Sequence, residues 1–311
     1  LGFYWSGKKG RVKTESFKDH MREARTERVT KAVIPAAGLG SRMLPITRSI
    51  PKEMLPVGRK PMIQHVVEEV ASSGVTQICI VIREGKEIIK DYFNLKFPAG
   101  HKSDERVAEL ESLVAGCELT FVYQQQPRGL GDALLQAKDF VGSDSFVMTI
   151  PDQQLRSPVP ATAQLLRDWR PGPIIWSSLL RIPKEELPFF IGARGVEYEE
   201  LNAHEVSISR LRTEEETRRA HAGLSYEVRG FGRTIYPPEI FDYLGPEFTN
   251  PQTGEVDLLK TFEKCTGELK IHGTWLTGEA FDLGTFQSYY RYVPKLWELE
   301  QAEYPVPQTD F

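Results

Sequence analysis

The sequence predicts an α/β protein on a doubly wound, mostly parallel, Rossmann-like sheet, followed by a smaller β-rich portion. Three observations lead there. Short apolar runs recur through the first half of the chain, as strands buried on both faces require. Segments with apolar positions three and four residues apart lie between those runs, and such alternation marks crossover helices. Beyond Leu155 the texture loosens into short strand-like stretches separated by charged and turn-forming segments.

Taken in order, residues 32–35 are an apolar run that ends in Ala36-Ala37-Gly38-Leu39-Gly40, a strand feeding a glycine loop. Residues 62–70 carry apolar side chains at 62, 63, 66, 67 and 70, one face of a helix. Residues 77–82 read as a buried strand, 88–93 and 105–113 as helices, and 119–123 as another strand. A helix over 132–140 and a strand over 145–150 complete the first half. In the second half 174–180, 206–209 and 230–236 are expected strands. The charged stretch 212–222 is a helix or an exposed loop, Pro237-Pro238-Glu239 starts a helix, and 294–302 has helical spacing. Ligands of doubly wound sheets sit at the carboxyl ends of strands. Function is therefore expected after Ile34, Tyr123 and Ile150.

Composition narrows the functional classes. The 311 residues allow one large domain or two smaller ones, with 39 Lys and Arg against 43 Asp and Glu, net −4. A nucleic-acid binder would carry a basic excess, whereas a small anion needs only a local cluster of cations. No run approaches the roughly 18 apolar residues of a membrane span. Cys79, Cys117 and Cys265 form no CxxC pair, so neither a disulfide framework nor a structural zinc is expected, and the compartment reads as reducing and cytoplasmic. Residues 1–31 hold nine Lys or Arg against four Asp or Glu without the apolar stretch of a secretory leader. They read as a basic extension over 1–30, ahead of a domain over 31–296 with halves 31–155 and 156–296, and a tail over 297–311.

The richest segment is Pro35-Ala36-Ala37-Gly38-Leu39-Gly40-Ser41-Arg42-Met43-Leu44-Pro45, continuing to Pro51-Lys52-Glu53-Met54-Leu55-Pro56. Small residues after a strand let backbone N–H groups approach a phosphate or a base. Met43 stands where a dinucleotide loop needs its third glycine, which argues against a dehydrogenase, and the Gly-Lys-Ser/Thr of a Walker A loop is absent. Instead Arg42 and Lys52 place two cations near the loop, suited to a triphosphate whose pyrophosphate must leave. Alone, the G-x-G would be a tight turn with ordinary surface cations.

The joint pattern resembles the signature of the sugar-phosphate nucleotidyltransferases, most closely the bacterial UTP–glucose-1-phosphate uridylyltransferases. Three further segments carry the resemblance: Arg83 to Phe93, Gln124-Gln125-Gln126-Pro127-Arg128-Gly129-Leu130-Gly131-Asp132-Ala133, and Ile150-Pro151-Asp152. It implies an enzyme that transfers a nucleoside monophosphate from UTP or dTTP to a sugar 1-phosphate, releasing pyrophosphate, and a chain that self-associates. By resemblance Ala36, Ala37, Gly38, Gly40, Gln124 and Gly129 bind the nucleotide, Arg42 and Lys52 act on its phosphates, and Asp152 with Asp282, in Phe281-Asp282-Leu283-Gly284, holds Mg²⁺. An amide at Gln124 offers both donor and acceptor to a pyrimidine, and carboxylate oxygens suit Mg²⁺.

The resemblance thins on the sugar side. The family's Val-x-Glu-Lys-Pro strand corresponds to Val206-Ser207-Ile208-Ser209-Arg210-Leu211-Arg212, where neither the Glu nor the Lys is in place. Arg210 or Arg212 is the candidate replacement cation, and Gly195 the candidate glycine of the family's Tyr-Gly-Val loop. Gly254-Glu255-Val256-Asp257 matches an acidic helix start in part. The altered strand leaves one alternative, a nucleotide-binding regulatory protein without catalysis; retention of Arg42, Lys52, Asp152 and Asp282 opposes it. No two histidines have metal-ligand spacing, so all six are assigned to structure or solvent.

Overall fold

The structure is a computed structural model that describes residues 28–95, 105–191, 194–250, 254–256, 258–265 and 267–303. The strands of the first half are β1 (Lys31–Pro35), β4 (Gln77–Ile82), β5 (Glu118–Tyr123) and β6 (Phe146–Thr149), with the short pair β2 (Pro56–Val57) and β3 (Lys60–Pro61) after β1. Helices α1 (Met62–Ser72), α2 (Glu87–Asn94), α3 (Glu105–Ala115), α4 (Gly129–Gln136) and α5 (Lys138–Val141) connect them. The rest comprises β7 (Gln153–Arg156), α6 (Ala161–Asp168), β8 (Ile174–Pro183), β9 (Gly195–Glu200), β10 (Glu205–Arg212), α7 (Glu214–Ala220) and β11 (Tyr226–Tyr236). Then come α8 (Leu258–Cys265), β12 (Lys270–Trp275), β13 (Glu279–Asp282) and α9 (Phe286–Glu303).

Nine strands form one sheet in the order β5-β4-β1-β6-β11-β8-β12-β10-β9. β5, β4, β1 and β6 run parallel. β11 is antiparallel to β6 and β8, β12 is parallel to β8, and β10 is antiparallel to β12 and β9. Only β10 and β11 thus oppose the common direction, which makes the sheet mixed but mostly parallel. Strand alternation separates two cores. Val33, Cys79, Val81, Phe146 and Met148 face α4 and α8, whereas Ala32, Ile34, Ile78, Ile80, Ile82 and Val147 face α1 and α6. Helices on both faces explain why these strands read as unbroken apolar runs.

Several boundaries differ from the expectation. The helix expected over 132–140 is two, α4 and α5, because Ala137 leaves helical geometry at φ −90° and ψ 3°. The charged stretch 212–222 contains α7, started by a capping box in which Thr213 and Glu216 exchange hydrogen bonds. β11 starts at Tyr226 rather than at 230, since Glu227 and Arg229 hide each other's charge inside it. Val29 packs into the core and Thr30 O accepts from Thr76 and Gln77 N–H, so residues of the expected extension belong to the folded domain. Likewise α9 runs through the expected tail start, and its Glu300 accepts from Arg59 N–H. Residues 1–27 and 304–311, together with Gly192, Ala193 and Asp257, lie outside the described residues. Among the described residues no helix is long and apolar enough to cross a membrane.

A buried ion pair ties the layers together. Arg233 on β11 is fully buried and donates to both carboxylate oxygens of Glu69 on α1, at 2.8 and 2.7 Å. Burial works against the Glu69 charge, but Arg233 and the Thr162 hydrogen bonds hold its carboxyl below the usual range. Arg233→Met strands that carboxylate and is expected to cost about 3–5 kcal/mol. Urea unfolding measures it, and a loss under about 1 kcal/mol would show that the pair does not carry the contact.

Candidate active site

β1 ends at Pro35, and the ladder reaches one residue further, where Ala36 N–H donates to Val81 O at 2.8 Å. The methyls of Ala36 and Ala37 are buried in the two cores, so the loop presents main chain to a ligand. A side chain on Gly38 would meet nothing within 4 Å, which leaves an open approach. Gly40 is the forced turn. Its φ is +65°, a Cβ would stand 2.9 Å from Thr47 Cγ2, and its carbonyl accepts from Thr47 Oγ1. Arg42 follows in a short 3-10 turn, exposed, with its charge acting on Asp152.

At the end of β5, Gln124 is buried and its N–H donates to Ile82 O. Its amide nitrogen donates to Asp132 Oδ2 at 2.7 Å and to Gly129 O at 3.1 Å. Both donors are thereby used within the chain, which turns Oε1 into the atom able to accept from a base. Gly129 has φ +88°, and a Cβ there would come within 2.8 Å of Glu255 Cβ. The nucleotide-side turn therefore packs directly on the acidic segment from the other half.

Asp152 follows β6, and Asp282 ends β13, which pairs with β7. Leu283 N–H donates to Asp152 O, and Gly284 N–H to Asp282 Oδ1 at 2.9 Å. The two carboxylates converge over Gly284. A Cβ there would stand 2.8 Å from Asp152 Oδ2 and 3.1 Å from Asp282 Oδ1, so the two oxygens lie within about 6 Å of each other. Burial and then the charge of Asp152 push the Asp282 carboxyl up to about 6. Burial works against the Asp152 charge as well, but the Lys52 ammonium, 2.5 Å from its Oδ2, holds it below the usual carboxylate range. Burial would lower Lys52; Asp152, Glu53 and Asp282 outweigh that and hold it above its ordinary value.

Lys52 is itself held in place. Its neighbour Glu53 is buried and accepts from Lys86 Nζ at 2.7 Å, and the same ammonium donates to Ala36 O at 2.7 Å. Burial pulls Lys86 down, and Glu53 only partly restores it. One buried lysine thus fastens the lysine-bearing turn to the glycine loop.

Arg42, Lys52, Asp152 and Asp282 gather at the carboxyl ends of β1 and β6. The expected sugar-side residues are dispersed instead. Arg210 is half-exposed and bonded to Glu197 at 2.8 Å and Glu216 at 3.1 Å, and Arg212 Nε lies 3.8 Å from Glu197. In the ladder β10 stands four strands from β6. Gly195 pairs with Arg212 at the start of β9, beside β11, where Gly230 N–H donates to Arg194 O.

Residues 31–171 match the nucleotidyl transferase family. The chain is 33% identical over 268 residues to the UTP–glucose-1-phosphate uridylyltransferase of Streptococcus pyogenes, covering 83% of this chain and 85% of the relative. The chain belongs to the bacterial UTP–glucose-1-phosphate uridylyltransferase family. The fold agrees: an apo UDP-glucose pyrophosphorylase superposes with TM-score 0.76 at 24% identity, covering 88% of this chain and 99% of that one. A UTP-bound UGPase from Acinetobacter baumannii superposes with TM-score 0.72 at 26% identity, covering 89% and 99%. This uridylyltransferase-family chain is accordingly an enzyme, a nucleotidyltransferase of a generally metal-dependent kind.

The residues present fit a divalent cation. Two buried carboxylates share a space that only a missing Cβ leaves open, and their mutual repulsion is what a dication relieves. Among the described residues no third His, Cys, Asp or Glu joins them, so further oxygens would come from substrate phosphates, as is usual for Mg²⁺. Sequence reasoning missed Glu53, Glu69, Lys86, Gln153 and Arg233 around this site. Lys86 lay within a motif already singled out, but a role needs a partner, and its partners are 33 and 50 residues away. The expectation for this uridylyltransferase-family site is that Gly284→Ala, which fills the space between the carboxylates, weakens divalent-cation binding by roughly 10–100-fold. Calorimetric titration checks it, and unchanged affinity would place the ion elsewhere.

Proposed function

We propose that this enzyme transfers the uridylyl group of UTP to glucose 1-phosphate, releasing pyrophosphate, with Asp152 and Asp282 holding Mg²⁺. The observation that carries the reading is the convergence of the two carboxylates over Gly284, with Lys52 on Asp152, beside the open glycine loop. The Streptococcus pyogenes relative is a UTP–glucose-1-phosphate uridylyltransferase, and the Acinetobacter baumannii structure holds UTP.

The chemistry suits what the chain offers. An oxygen of the sugar phosphate attacks the α-phosphorus of UTP, the bond from that phosphorus to the bridging oxygen breaks, and pyrophosphate leaves with the electron pair. The attacking oxygen is already anionic, so no general base is needed. The protein's work is alignment and charge neutralisation. Arg42 and Lys52 face the charge that accumulates on the leaving phosphates, and Lys52 exchanges its contact with Asp152 for one with the triphosphate. Mg²⁺, when bound, polarises the phosphate oxygens and lowers their mutual repulsion. Gln124 Oε1 accepts from the ring N–H of uracil. Thymine presents the same edge, so dTTP is the competing nucleotide, to be separated at the ribose.

Pyrophosphate release, measured with Mg²⁺ across nucleoside triphosphates and sugar 1-phosphates, tests the reading. UTP with glucose 1-phosphate is expected to be the best pair, EDTA to stop release and added Mg²⁺ to restore it. No release from any pair would sink the proposal. Asp152→Asn is expected to lower turnover by on the order of 100-fold or more; near-normal turnover would remove Asp152 from the metal site. Gln124→Ala is expected to lower discrimination between UTP and purine triphosphates by about 10-fold, and unchanged discrimination would take Gln124 out of the base site.

A further inference from the structure

Asp152 and Asp282 come from elements far apart in the chain, and carboxylates that repel each other need something to fix their relative orientation. Gln153 lies between them. It is buried, it follows Asp152, and it pairs with Asp282 across β7 and β13. Its Oε1 accepts from Gly232 N–H at 2.7 Å, and its Nε2 donates to Asp282 Oδ2 at 3.0 Å. The partners settle which end of the amide is which. A backbone N–H can only donate, so Oε1 faces Gly232 and the donor end must face the carboxylate.

The surroundings hold that amide still. Gly232 lies where the register of β11 shifts against β8, between Phe231 and Thr234. A Cβ on it would stand 2.9 Å from Gln153 Oε1 and 2.9 Å from Ile150 Cβ, so the close approach needs glycine. Ile150 N–H donates to Gly232 O at 3.0 Å. Arg233, the next residue, donates to Ile150 O at 3.2 Å and Gln153 O at 2.9 Å, the carbonyls on either side of Pro151-Asp152. Asp282 is left with one hydrogen bond on each oxygen, from Gly284 N–H to Oδ1 and from Gln153 to Oδ2. Gly284 N–H alone would leave the carboxylate free to turn about its Cβ–Cγ bond.

We propose that Gln153 is a positioning residue for the carboxylate pair: its side-chain amide, locked by Gly232 N–H, holds Asp282 facing Asp152 and so sets the affinity of the pair for a divalent cation. The proposal rests on the reading of Asp152 and Asp282 as the cation's ligands. Hydrogen-bond partners of ligating groups change metal affinity by roughly 10–100-fold when removed.

The test is a titration of the full chain with Mn²⁺, without nucleotide, following the free ion by electron paramagnetic resonance. The wild type is expected to show one saturable site that Asp282→Asn removes. Gln153→Met, close in length and without polar ends, is expected to weaken that site by roughly 10-fold or more, while UTP binding measured in EDTA stays unchanged. In steady-state assays the same variant should raise the Mg²⁺ concentration needed for half-maximal rate by a similar factor, with kcat at saturating Mg²⁺ much less affected. A purely structural role would lower thermal stability and UTP binding instead. Gly232→Ala, which displaces the amide from the other side, should weaken Mn²⁺ in the same direction and serves if Gln153→Met does not fold. Mn²⁺ binding unaffected by Asp282→Asn would overturn the ligand assignment itself. A site that is lost in Asp282→Asn but has wild-type affinity in Gln153→Met or Gly232→Ala would overturn the positioning role alone.

Discussion

Asp152 and Asp282 are held close together out of water, and like charges in such a place repel. That constraint organises the structure around the site. The repulsion shows in Asp282, whose carboxyl is pushed up to about 6 by burial and by Asp152. Each of its oxygens receives a hydrogen bond, and Asp152 receives an ammonium. In the free chain Lys52 supplies part of the positive charge the pair requires. On the proposed reading a dication would add to it, and a triphosphate would offer Lys52 a partner of its own. On that reading the lysine has an anionic partner in both states and is never left unpaired in a buried place.

The groups that hold these side chains are ionic where apolar packing would do as well for stability alone. Lys86 with Glu53, and Arg233 with Glu69, are buried pairs, and replacing such pairs by apolar side chains is often neutral or stabilising. Each pair instead directs hydrogen bonds at particular main-chain oxygens: Lys86 at Ala36 O, Arg233 at Ile150 O and Gln153 O. Those oxygens belong to the glycine loop and to the turn that carries Asp152. Apolar packing is indifferent to rotation about its contacts, whereas a guanidinium with five donors is not. The ion pairs therefore trade stability for the placement of two loops.

The nucleotide half was legible in the sequence because local pattern and chemistry coincide there. Strands buried on both faces are apolar throughout, and β1, β4, β5 and β6 fall where residues 32–35, 77–82, 119–123 and 145–150 predict them. Arg42 lies in the loop that follows β1 and Asp152 just after β6, where the fold class puts ligands, whereas Lys52 comes from a later 3-10 turn and Asp282 from β13. Local reading failed where the deciding partner is distant. β11 begins early because Glu227 and Arg229 neutralise each other and Glu214 adds a third charge, so charge could not be read as exposure. Gln153 looked like any polar residue after a strand until Gly232 and Asp282, 79 and 129 residues away, came into view. β12 carries Lys270, His272 and Gly273 among its six residues and β13 has only four, so neither shows an apolar run of its own.

The strand expected to carry the family's Glu-Lys-Pro lacks it, and the arginines expected in its stead are engaged by other side chains. Arg210 and Arg212 lie on the β9–β10 hairpin, where Glu197 and Glu216 absorb their charge. Changes there alter an exposed hairpin, not the carboxylates. The contact between the halves is elsewhere, and it is tight. Side chains on Gly129 or Gly131 would run into Glu255 and Val256, and Val256 N–H donates to Arg128 O at 2.7 Å. Gly129 O also accepts from Gln124, the residue proposed to read the base. Residues 254–256 therefore form a wall against the turn that carries Gly129. A substitution that moves Glu255 or Val256 shifts Gly129 and, through it, Gln124. The turn that holds Gln124 thus depends on residues 254–256 and not on the arginines of β10, whose partners are Glu197 and Glu216.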